Sequence, residues 1–148
     1  MNFQELELKY YIQDLSRLQT QVHSLGAVCD QERVLEINLR FDRPDYSLSK
    51  NGQALRLRFD TQARLTFKGP SEAQEGIRLR QEIEFVASDY QAAREFLHAL
   101  GFQVILVYEK YRTGYKLGDV HVLLDELPYG NFVEIEGPDP AQILEVNN

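Results

Sequence analysis

The fold is decided by one stretch of the sequence, which reads Ile77-Arg78-Leu79-Arg80-Gln81-Glu82-Ile83-Glu84-Phe85. Apolar side chains at positions 77, 79, 83 and 85 alternate with charged ones at 78, 80, 82 and 84. Successive side chains of a β-strand point to opposite faces. The stretch therefore predicts a strand with one apolar face and one ionisable face.

The same alternation recurs in five other stretches along the chain. Their polar same-face sets are Glu5, Glu7 and Lys9; Arg56 and Arg58; Thr66 and Lys68; Lys110 and Arg112; and Glu134 and Glu136. Solvated faces of an ordinary antiparallel sheet are the alternative interpretation. Such faces would mix in more Ser, Thr and Gln, whereas arginine is favoured here, as it is for multidentate contact with phosphate or carboxylate.

Two amphipathic helices are predicted, and each needs an apolar sheet surface to cover. The first begins after Asp14 and ends at Gly26, and the second begins after Ser88 or Asp89 and ends at Gly101. We expect Phe96, Leu97 and Leu100 of the second helix to point inward. If the helices pack outside, the charged faces close on a lumen, and about eight strands leave room for one small ligand.

These elements predict an α+β fold: a closed eight-stranded antiparallel β-barrel with helices packed outside, in a single domain over residues 1–148. The predicted strands are 3–11, 28–42, 53–59, 63–69, 77–87, 102–113, 115–125 and 132–136. A polar loop is predicted from Gly69 to Gly76, and a short helical tail follows Pro140.

A lumen of this composition favours a metal–polyphosphate complex. Glu5, Glu7, Glu134 and Glu136 offer the hard oxygen ligands that Mg²⁺ or Mn²⁺ prefers. The side chains that would neutralise a polyanion are Arg56, Arg58, Lys68, Lys110 and Arg112. Neither set is stable alone in a confined space, because like charges at short range repel strongly.

Composition excludes several function classes. The formal net charge of -7 disfavours nucleic acid and anionic membrane as partners, so any anion must bind a local basic site. Cys29 is the only cysteine, and no phosphate-binding P-loop pattern is present. Without a signal peptide or a membrane-spanning apolar run, we expect a cytoplasmic protein; a homodimer stays open.

The motifs and their order resemble the CYTH superfamily, the triphosphate tunnel metalloenzymes, which includes class IV adenylate cyclases and thiamine triphosphatases. Glu5-Leu6-Glu7-Leu8-Lys9 is similar to the family's E-x-E-x-K motif. The later matches, in the family's order, are Arg56-Leu57-Arg58, Thr66-Phe67-Lys68, Arg80-Gln81-Glu82-Ile83-Glu84, Glu109-Lys110-Tyr111-Arg112 and the hairpin from Leu124 to Gly137.

The resemblance implies a tunnel that binds a triphosphate through basic residues and two divalent metals through acidic ones. It adds Lys9 and Arg80 to the substrate-binding set and Asp125 to the metal set. Glu82 and Glu84 become candidates to orient water or a second metal. The implied substrates are tripolyphosphate, thiamine triphosphate and ATP.

Three functions follow from these expectations. The first is metal-dependent triphosphate hydrolysis, and the alternative is a class IV adenylate cyclase that makes cyclic AMP and pyrophosphate. A non-catalytic polyphosphate-binding module is the third, although binding alone would not need so many carboxylates. The sequence departs from the family pattern where it stops at Asn148, before the usual longer C-terminal helix, so we expect a less covered tunnel or a truncated sequence.

Overall fold

The computed structural model describes residues 4–74 and 76–147. The strands within this part of the chain are β1 (Gln4–Ile12), β2 (Val28–Asp42), β3 (Ala54–Phe59), β4 (Ala63–Gln74), β5 (Ile77–Ala87), β6 (Gln103–Leu117), β7 (Val120–Leu127) and β8 (Gly130–Glu136). The helices are α1 (Leu15–Ser24), α2 (Ser47–Lys50), α3 (Tyr90–Ala99) and α4 (Pro140–Asn147). Residue 3, the predicted start of the first strand, lies outside the described residues.

The strands form a closed antiparallel barrel in the order β1-β5-β4-β3-β2-β6-β7-β8. In the β1–β8 ladder Glu7 pairs with Glu136 and Lys9 with Glu134, whereas in the β3–β4 ladder Arg56 pairs with Thr66. The predicted closed eight-stranded barrel is therefore confirmed.

Both predicted helix starts are confirmed, and each depends on an aspartate cap. Asp14 Oδ1 accepts a hydrogen bond from Arg17 N at 3.0 Å, and Asp89 Oδ1 accepts one from Ala92 N at 2.9 Å. Such caps satisfy backbone donors that the first helical turn leaves unpaired.

The chain is organised as two compact units, each with its own apolar core. The first contains Gln4, Glu36–Glu72 and Arg80–Glu109, and its core packs Leu97 of α3 on β-strand residues such as Leu39 and Leu57. The prediction of one domain over residues 1–148 stays a prediction.

The second unit contains Glu5–Leu35, Ala73–Leu79 and Lys110–Asn148. Its core packs Val22 of α1 and Ile143 of α4 on the apolar faces of β7 and β8. In both units the helices thus pack against apolar residues of the strands. No helix among residues 4–74 and 76–147 is long and apolar enough to cross a bilayer.

Three local predictions were wrong. The loop predicted from Gly69 is strand, because β4 continues to Gln74. The break predicted near residue 114 is absent, and β6 runs on to Leu117. A Cβ at Gly114 would lie 3.1 Å from Gln31 Cβ, so the glycine admits a close neighbour inside a continuous strand rather than ending it.

The third wrong prediction concerns α3. Phe96 and Leu100, which were expected to point inward, are 63% and 61% exposed, whereas Leu97 is buried. A helix of only ten residues places a narrow stripe against the sheet, and these two side chains lie outside that stripe.

The short helix α2 was not predicted, and the buried carboxylate of Asp42 explains why it forms. That side chain accepts hydrogen bonds from the backbone N–H groups of Arg43, Leu48 and Ser49 and from the Ser49 hydroxyl, at 2.6 to 3.0 Å. Burial alone would raise the pKa of Asp42, but these hydrogen bonds lower it to about 2. The aspartate therefore stays ionised and fixes the turn after β2.

Candidate functional site

Many residues of the ionisable strand faces are buried, whereas Lys9, Arg78 and Glu84 are exposed. The buried polar residues on these faces are Glu7, Glu36, Asn38, Arg58, Thr66, Lys110, Arg112, Asp125 and Glu134. Their apolar neighbours along the strands, such as Val133 and Ile135, pack under the helices. In a closed barrel the face turned away from the outer helices is the inner face, so the interpretation as a water-facing sheet is wrong for these residues.

An acidic cluster of the second unit is formed by Glu5 and Glu7 of β1 and Glu136 of β8. One carboxylate oxygen from each of the three lies within 4.8 Å of the others. Glu7 is opposite Glu136 in the β1–β8 ladder, and Glu5 follows on the same face of β1. Clustered carboxylate oxygens of this kind are the ligands that Mg²⁺ and Mn²⁺ prefer, so this donor set fits a divalent cation.

Neighbouring carboxylates in and beside the acidic cluster change the pKa of Glu136. Burial, followed by the charges of Glu134 and Glu5, raises the pKa of Glu136 to about 8; Arg112 opposes this rise, and Glu7 adds to it. The Glu136 carboxyl therefore keeps its proton to a higher pH than an ordinary glutamate does. A bound divalent ion would offset the repulsion between these carboxylates.

Asp125 organises the basic side chains beside the acidic cluster. Arg112 donates to Asp125 from Nε to Oδ1 at 2.7 Å and from Nη2 to Oδ2 at 2.9 Å, and Lys110 Nζ donates to Oδ2 at 3.0 Å. Burial would raise the pKa of Asp125, but the hydrogen bonds and charges of Arg112, together with the charge of Lys110, lower it. Asp125 thus stays ionised and orients both basic groups.

Glu134 lies between two basic residues. Arg112 Nη2 is 3.3 Å from Glu134 Oε2, and Lys9 Nζ is 3.4 Å from Glu134 Oε1. The second unit therefore brings together the acidic residues predicted as metal ligands and three of the basic residues predicted to bind phosphate. The metal-ligand prediction for Asp125 and Glu134 stays a prediction, since the contacts described for their oxygens are with Lys9, Lys110 and Arg112.

Two residues near the acidic cluster were missed at the sequence level. Arg78 Nη1 is 3.7 Å from Glu7 Oε1, and the Arg78 side chain is half exposed. His121 is paired with Glu136 in the β7–β8 ladder and lies 3.5 Å from Asp30. The alternation over residues 77–85 already placed Arg78 on the ionisable face, but only pairing between strands could bring it to Glu7.

The first unit holds another ionisable group, centred on Arg58. Its Nε donates to Asn38 Oδ1 at 2.9 Å and lies 3.2 Å from Glu36 Oε1. All three side chains are buried. Glu36 was not among the predicted site residues, although its alternation with Asn38 along β2 could have identified it.

The remaining predicted residues of the first unit pair with one another. Arg56 Nη2 is 3.9 Å from Glu84 Oε2, and the Thr66 hydroxyl donates to the same oxygen at 3.0 Å. Among the residues that the structure describes, Arg56 Nε is a buried donor without a hydrogen-bond partner. Such a donor is costly unless a ligand or water accepts from it.

Lys68 and Arg80 make different kinds of contact. Lys68 Nζ is 3.8 Å from Glu82 Oε2, across two strands of the same unit. Arg80 donates from Nε to the Gly69 carbonyl at 2.9 Å and from Nη2 to the Gly52 carbonyl at 3.5 Å. Arg80 therefore anchors backbone, whereas Lys68 faces a carboxylate predicted to be catalytic.

Known proteins resemble this chain in sequence and in fold. The adenylate cyclase CyaB of Aeromonas hydrophila is 27% identical over 136 residues, which cover 88% of this chain and 67% of that protein. The Pyrococcus horikoshii protein PH1819 is 28% identical with a TM-score of 0.78, over 96% of this chain and 83% of that one.

Two further structures share the fold at lower identity. A Vibrio parahaemolyticus protein with a provisional adenylate cyclase designation has a TM-score of 0.84 at 24% identity, over 99% of this chain and 83% of that one. HpAC1 of Hippeastrum, described as having a dominant triphosphatase activity, has a TM-score of 0.77 at 20% identity, over 96% of this chain and 83% of that one.

The family resemblance seen in the motifs is confirmed by a match to the CYTH domain profile over residues 4–146. That match covers almost the whole sequence, from the first described strand to the last helix. The chain belongs to the CYTH domain family.

Proposed function

We propose that this chain is a divalent-metal-dependent triphosphatase. The observation that carries the proposal is the acidic cluster of Glu5, Glu7 and Glu136 beside the basic side chains Lys110 and Arg112. Hydrolysis of a polyphosphate needs both parts: oxygen ligands for a cation and donors for the phosphate oxygens.

Glu5, Glu7 and Glu136 would hold Mg²⁺ or Mn²⁺. When bound, such an ion supplies positive charge for the phosphate oxygens and lowers the pKa of a bound water. Because the pKa of Glu136 is raised, this carboxyl would release a proton when a divalent cation binds. Glu134, next on the same face of β8, adds negative charge and keeps Arg112 and Lys9 close to the acidic cluster.

Lys110, Arg112 and Lys9 would bind the phosphates. Asp125 engages the Nε and Nη2 edge of Arg112, so a phosphate would be bound by the charge of the guanidinium and by its Nη1. Because Asp125 already fixes the guanidinium, Arg112 loses little conformational freedom when substrate binds. We assign Asp125 this positioning role beside its predicted role as a metal ligand.

The other predicted substrate contacts, Arg56, Arg58, Lys68 and Arg80, lie in the first unit and stay predictions. The buried Nε of Arg56 supports a phosphate contact there. Glu82 and Glu84 are the candidate bases that orient or deprotonate the attacking water, with the water attacking the terminal phosphorus in line with the leaving oxygen.

A cyclase is the second candidate, and similarity to the Aeromonas adenylate cyclase CyaB favours it. In that reaction the ribose 3′-hydroxyl of ATP attacks the α-phosphorus, and pyrophosphate leaves. The same residues would bind the phosphates. The two reactions therefore differ in the nucleophile and in which phosphorus it reaches.

One set of incubations distinguishes the candidates. The purified chain is incubated with Mg²⁺ or Mn²⁺ and, separately, tripolyphosphate, thiamine triphosphate and ATP, and orthophosphate, pyrophosphate and cyclic AMP are resolved. We expect orthophosphate from tripolyphosphate without cyclic AMP from ATP. Cyclic AMP with pyrophosphate would replace the proposal by the cyclase, and binding without product would replace both by a polyphosphate-binding module.

Two controls tie any turnover to the acidic cluster. Addition of EDTA should abolish product formation, and excess Mn²⁺ should restore it. Glu95→Gln, which changes an exposed glutamate on α3, should leave the rate unchanged.

A further inference from the structure

An aromatic cluster stands at one end of the β1–β8 ladder. The rings of Tyr11 and Phe132 meet edge to face with centroids 5.7 Å apart, and Tyr129 meets Phe132 with centroids 6.0 Å apart. Tyr11 is 57% exposed and Tyr129 75% exposed. Tyrosines that only fill a core would be covered, so this cluster presents aromatic surface to solvent.

The register of the ladder joins this cluster to the acidic cluster. Reading along it, Tyr11 pairs with Phe132, Lys9 with Glu134, and Glu7 with Glu136. Because these pairs are two residues apart, their side chains share one face of the ladder. The aromatic pair and the Glu7–Glu136 pair are four residues apart, about 13 Å along the strands.

Lys9 lies between the two ends, paired with Glu134. Lys9 Nζ lies 5.5 Å from the centroid of the Phe132 ring and 3.4 Å from Glu134 Oε1. Asp125, which holds Lys110 and Arg112, is paired with Phe132 in the β7–β8 ladder. Along the β1–β8 ladder one face therefore offers aromatic rings, then Lys9 beside Glu134, then the carboxylates of Glu7 and Glu136. The group of Asp125, Lys110 and Arg112 lies beside the aromatic end.

The turn that carries Tyr129 is shaped to leave room for Tyr11. A Cβ at Gly130 would lie 2.7 Å from Tyr11 Cε2, a distance that real Cβ atoms do not tolerate. Glycine at this position therefore lets the Tyr11 ring lie against the β7–β8 turn. The Tyr11 ring therefore lies against this turn, beside Phe132.

We propose that Tyr11, Tyr129 and Phe132 form a stacking surface for the base of a nucleoside triphosphate. This inference rests on the proposed function and extends it. With the ring stacked there, the phosphates extend past Lys9 towards Glu7 and Glu136, a span comparable to the length of an extended nucleoside triphosphate. Inorganic tripolyphosphate would use the cations and carboxylates alone.

Stacking on exposed aromatic side chains is tolerant of the base and contributes to affinity at each ring. Removal of one ring should therefore weaken binding of a nucleoside triphosphate about tenfold. It should leave tripolyphosphate binding unchanged, because the phosphate contacts do not involve the rings. Thiamine triphosphate also joins a triphosphate to an aromatic group, but the aromatic group is thiamine instead of a nucleobase. Comparison of the two organic ligands therefore distinguishes a preference for a nucleoside from a preference for thiamine.

The test is a binding titration, which does not depend on turnover. Dissociation constants are measured by calorimetry in Mn²⁺ for a non-hydrolysable ATP analogue, thiamine triphosphate and tripolyphosphate, using the wild type, Tyr129→Ala, Tyr11→Leu and the control Phe96→Ala. Phe96 is a similarly exposed ring on α3, outside the ladder. Circular dichroism and Tm report whether each variant is folded.

We expect Tyr129→Ala and Tyr11→Leu to raise the dissociation constant of the ATP analogue about tenfold. In the same two variants the dissociation constant of tripolyphosphate should change less than about twofold. The control Phe96→Ala should change the dissociation constant of every ligand less than about twofold. Equal loss for the analogue and for tripolyphosphate, or no loss for either organic ligand, overturns the stacking surface. If the rings matter for binding but no ligand is hydrolysed, the proposed triphosphatase fails and the stacking surface stands. If no triphosphate binds, both fail.

Discussion

Arg112 holds Asp125 through two parallel hydrogen bonds, Nε to Oδ1 at 2.7 Å and Nη2 to Oδ2 at 2.9 Å, in a region that excludes water from the carboxylate. Lys110 completes the group at 3.0 Å. The Asp125 carboxylate is important for stability, because removal of its negative charge takes two charged hydrogen bonds from Arg112 and one from Lys110 in a buried region.

Asp125→Asn should therefore lower the free energy of unfolding by about 3 kcal/mol, measured by urea denaturation. The matched control is Glu126→Gln, at the next position of β7, whose carboxylate pairs with the exposed Arg33 at the protein surface. Its effect should be much smaller, because solvent screens an exposed pair. Equal losses from the two variants would mean that the Asp125 group is not the buried ion cluster that the distances describe.

The pKa of Glu136 predicts how stability depends on pH in the metal-free protein. Folding raises this pKa from an ordinary value of 4.5 to about 8, chiefly by burial and by the neighbouring carboxylates. The native state thus keeps a proton that the unfolded state loses. The contribution of Glu136 is complete below pH 4.5 and is lost as the pH rises through about 8.

In chelator, Tm of the wild type should accordingly fall over this interval more steeply than Tm of Glu136→Gln, which carries no titrating group at this position. The two curves should converge in acid and separate towards pH 8. Parallel curves across the whole interval would contradict the raised pKa. Mn²⁺ should reduce the difference in slope, because cation binding favours the ionised form.

The alternation of charged and apolar residues was sufficient to predict the barrel and the composition of its buried face. Arg56, Arg58, Glu134 and Glu136 lie on the face that their parity indicates, because a period of two is a local property of a strand. Contacts between strands could not be predicted from this alternation. Glu5, Glu7 and Glu136 lie close together because of the register of β1 against β8. No single stretch of sequence determines that register.

The errors share a physical origin in local signals that tertiary packing overrides. Gly114 and the Gly69-Pro70 pair are both turn signals in sequence, but each lies within a continuous strand. Asp42 was predicted as the last residue of a strand, whereas burial and four hydrogen bonds make it the organising group of α2. A propensity is a weak prior wherever a neighbouring strand supplies the hydrogen bonds.

Glu7→Gln should weaken Mn²⁺ binding by at least about tenfold, since it removes one of the oxygen ligands that the acidic cluster offers. The change is nearly isosteric, so the fold should survive, and electron paramagnetic resonance of free Mn²⁺ measures the affinity directly. Glu95→Gln on α3 is the control and should bind as the wild type does. An unchanged affinity of Glu7→Gln for Mn²⁺ would show that the cation binds outside the acidic cluster.

Asp42 gives a prediction with the opposite sign of pH dependence. Its pKa is lowered by folding, so the stability that it contributes is present above pH 3.8 and is lost as the pH falls through about 2. Asp42→Ala should therefore lower Tm clearly at pH 7 and much less at pH 2. A Tm difference that stays constant down to pH 2 would show that the contribution does not come from the ionised carboxylate.

Arg56 and Arg80 should respond differently to the same substitution, although both are predicted to bind substrate. Arg56 Nε has no hydrogen-bond partner among the described residues, and Arg56 Nη2 lies 3.9 Å from Glu84 Oε2. Arg56→Gln should thus raise KM for tripolyphosphate about tenfold, the effect of one lost charged hydrogen bond, and leave Tm nearly unchanged. Arg80 instead donates to the carbonyls of Gly69 and Gly52, so Arg80→Gln should lower Tm more than Arg56→Gln does. Steady-state kinetics and thermal melting of the two variants, side by side, separate a substrate contact from a backbone anchor, and the reverse pattern would exchange the two assignments.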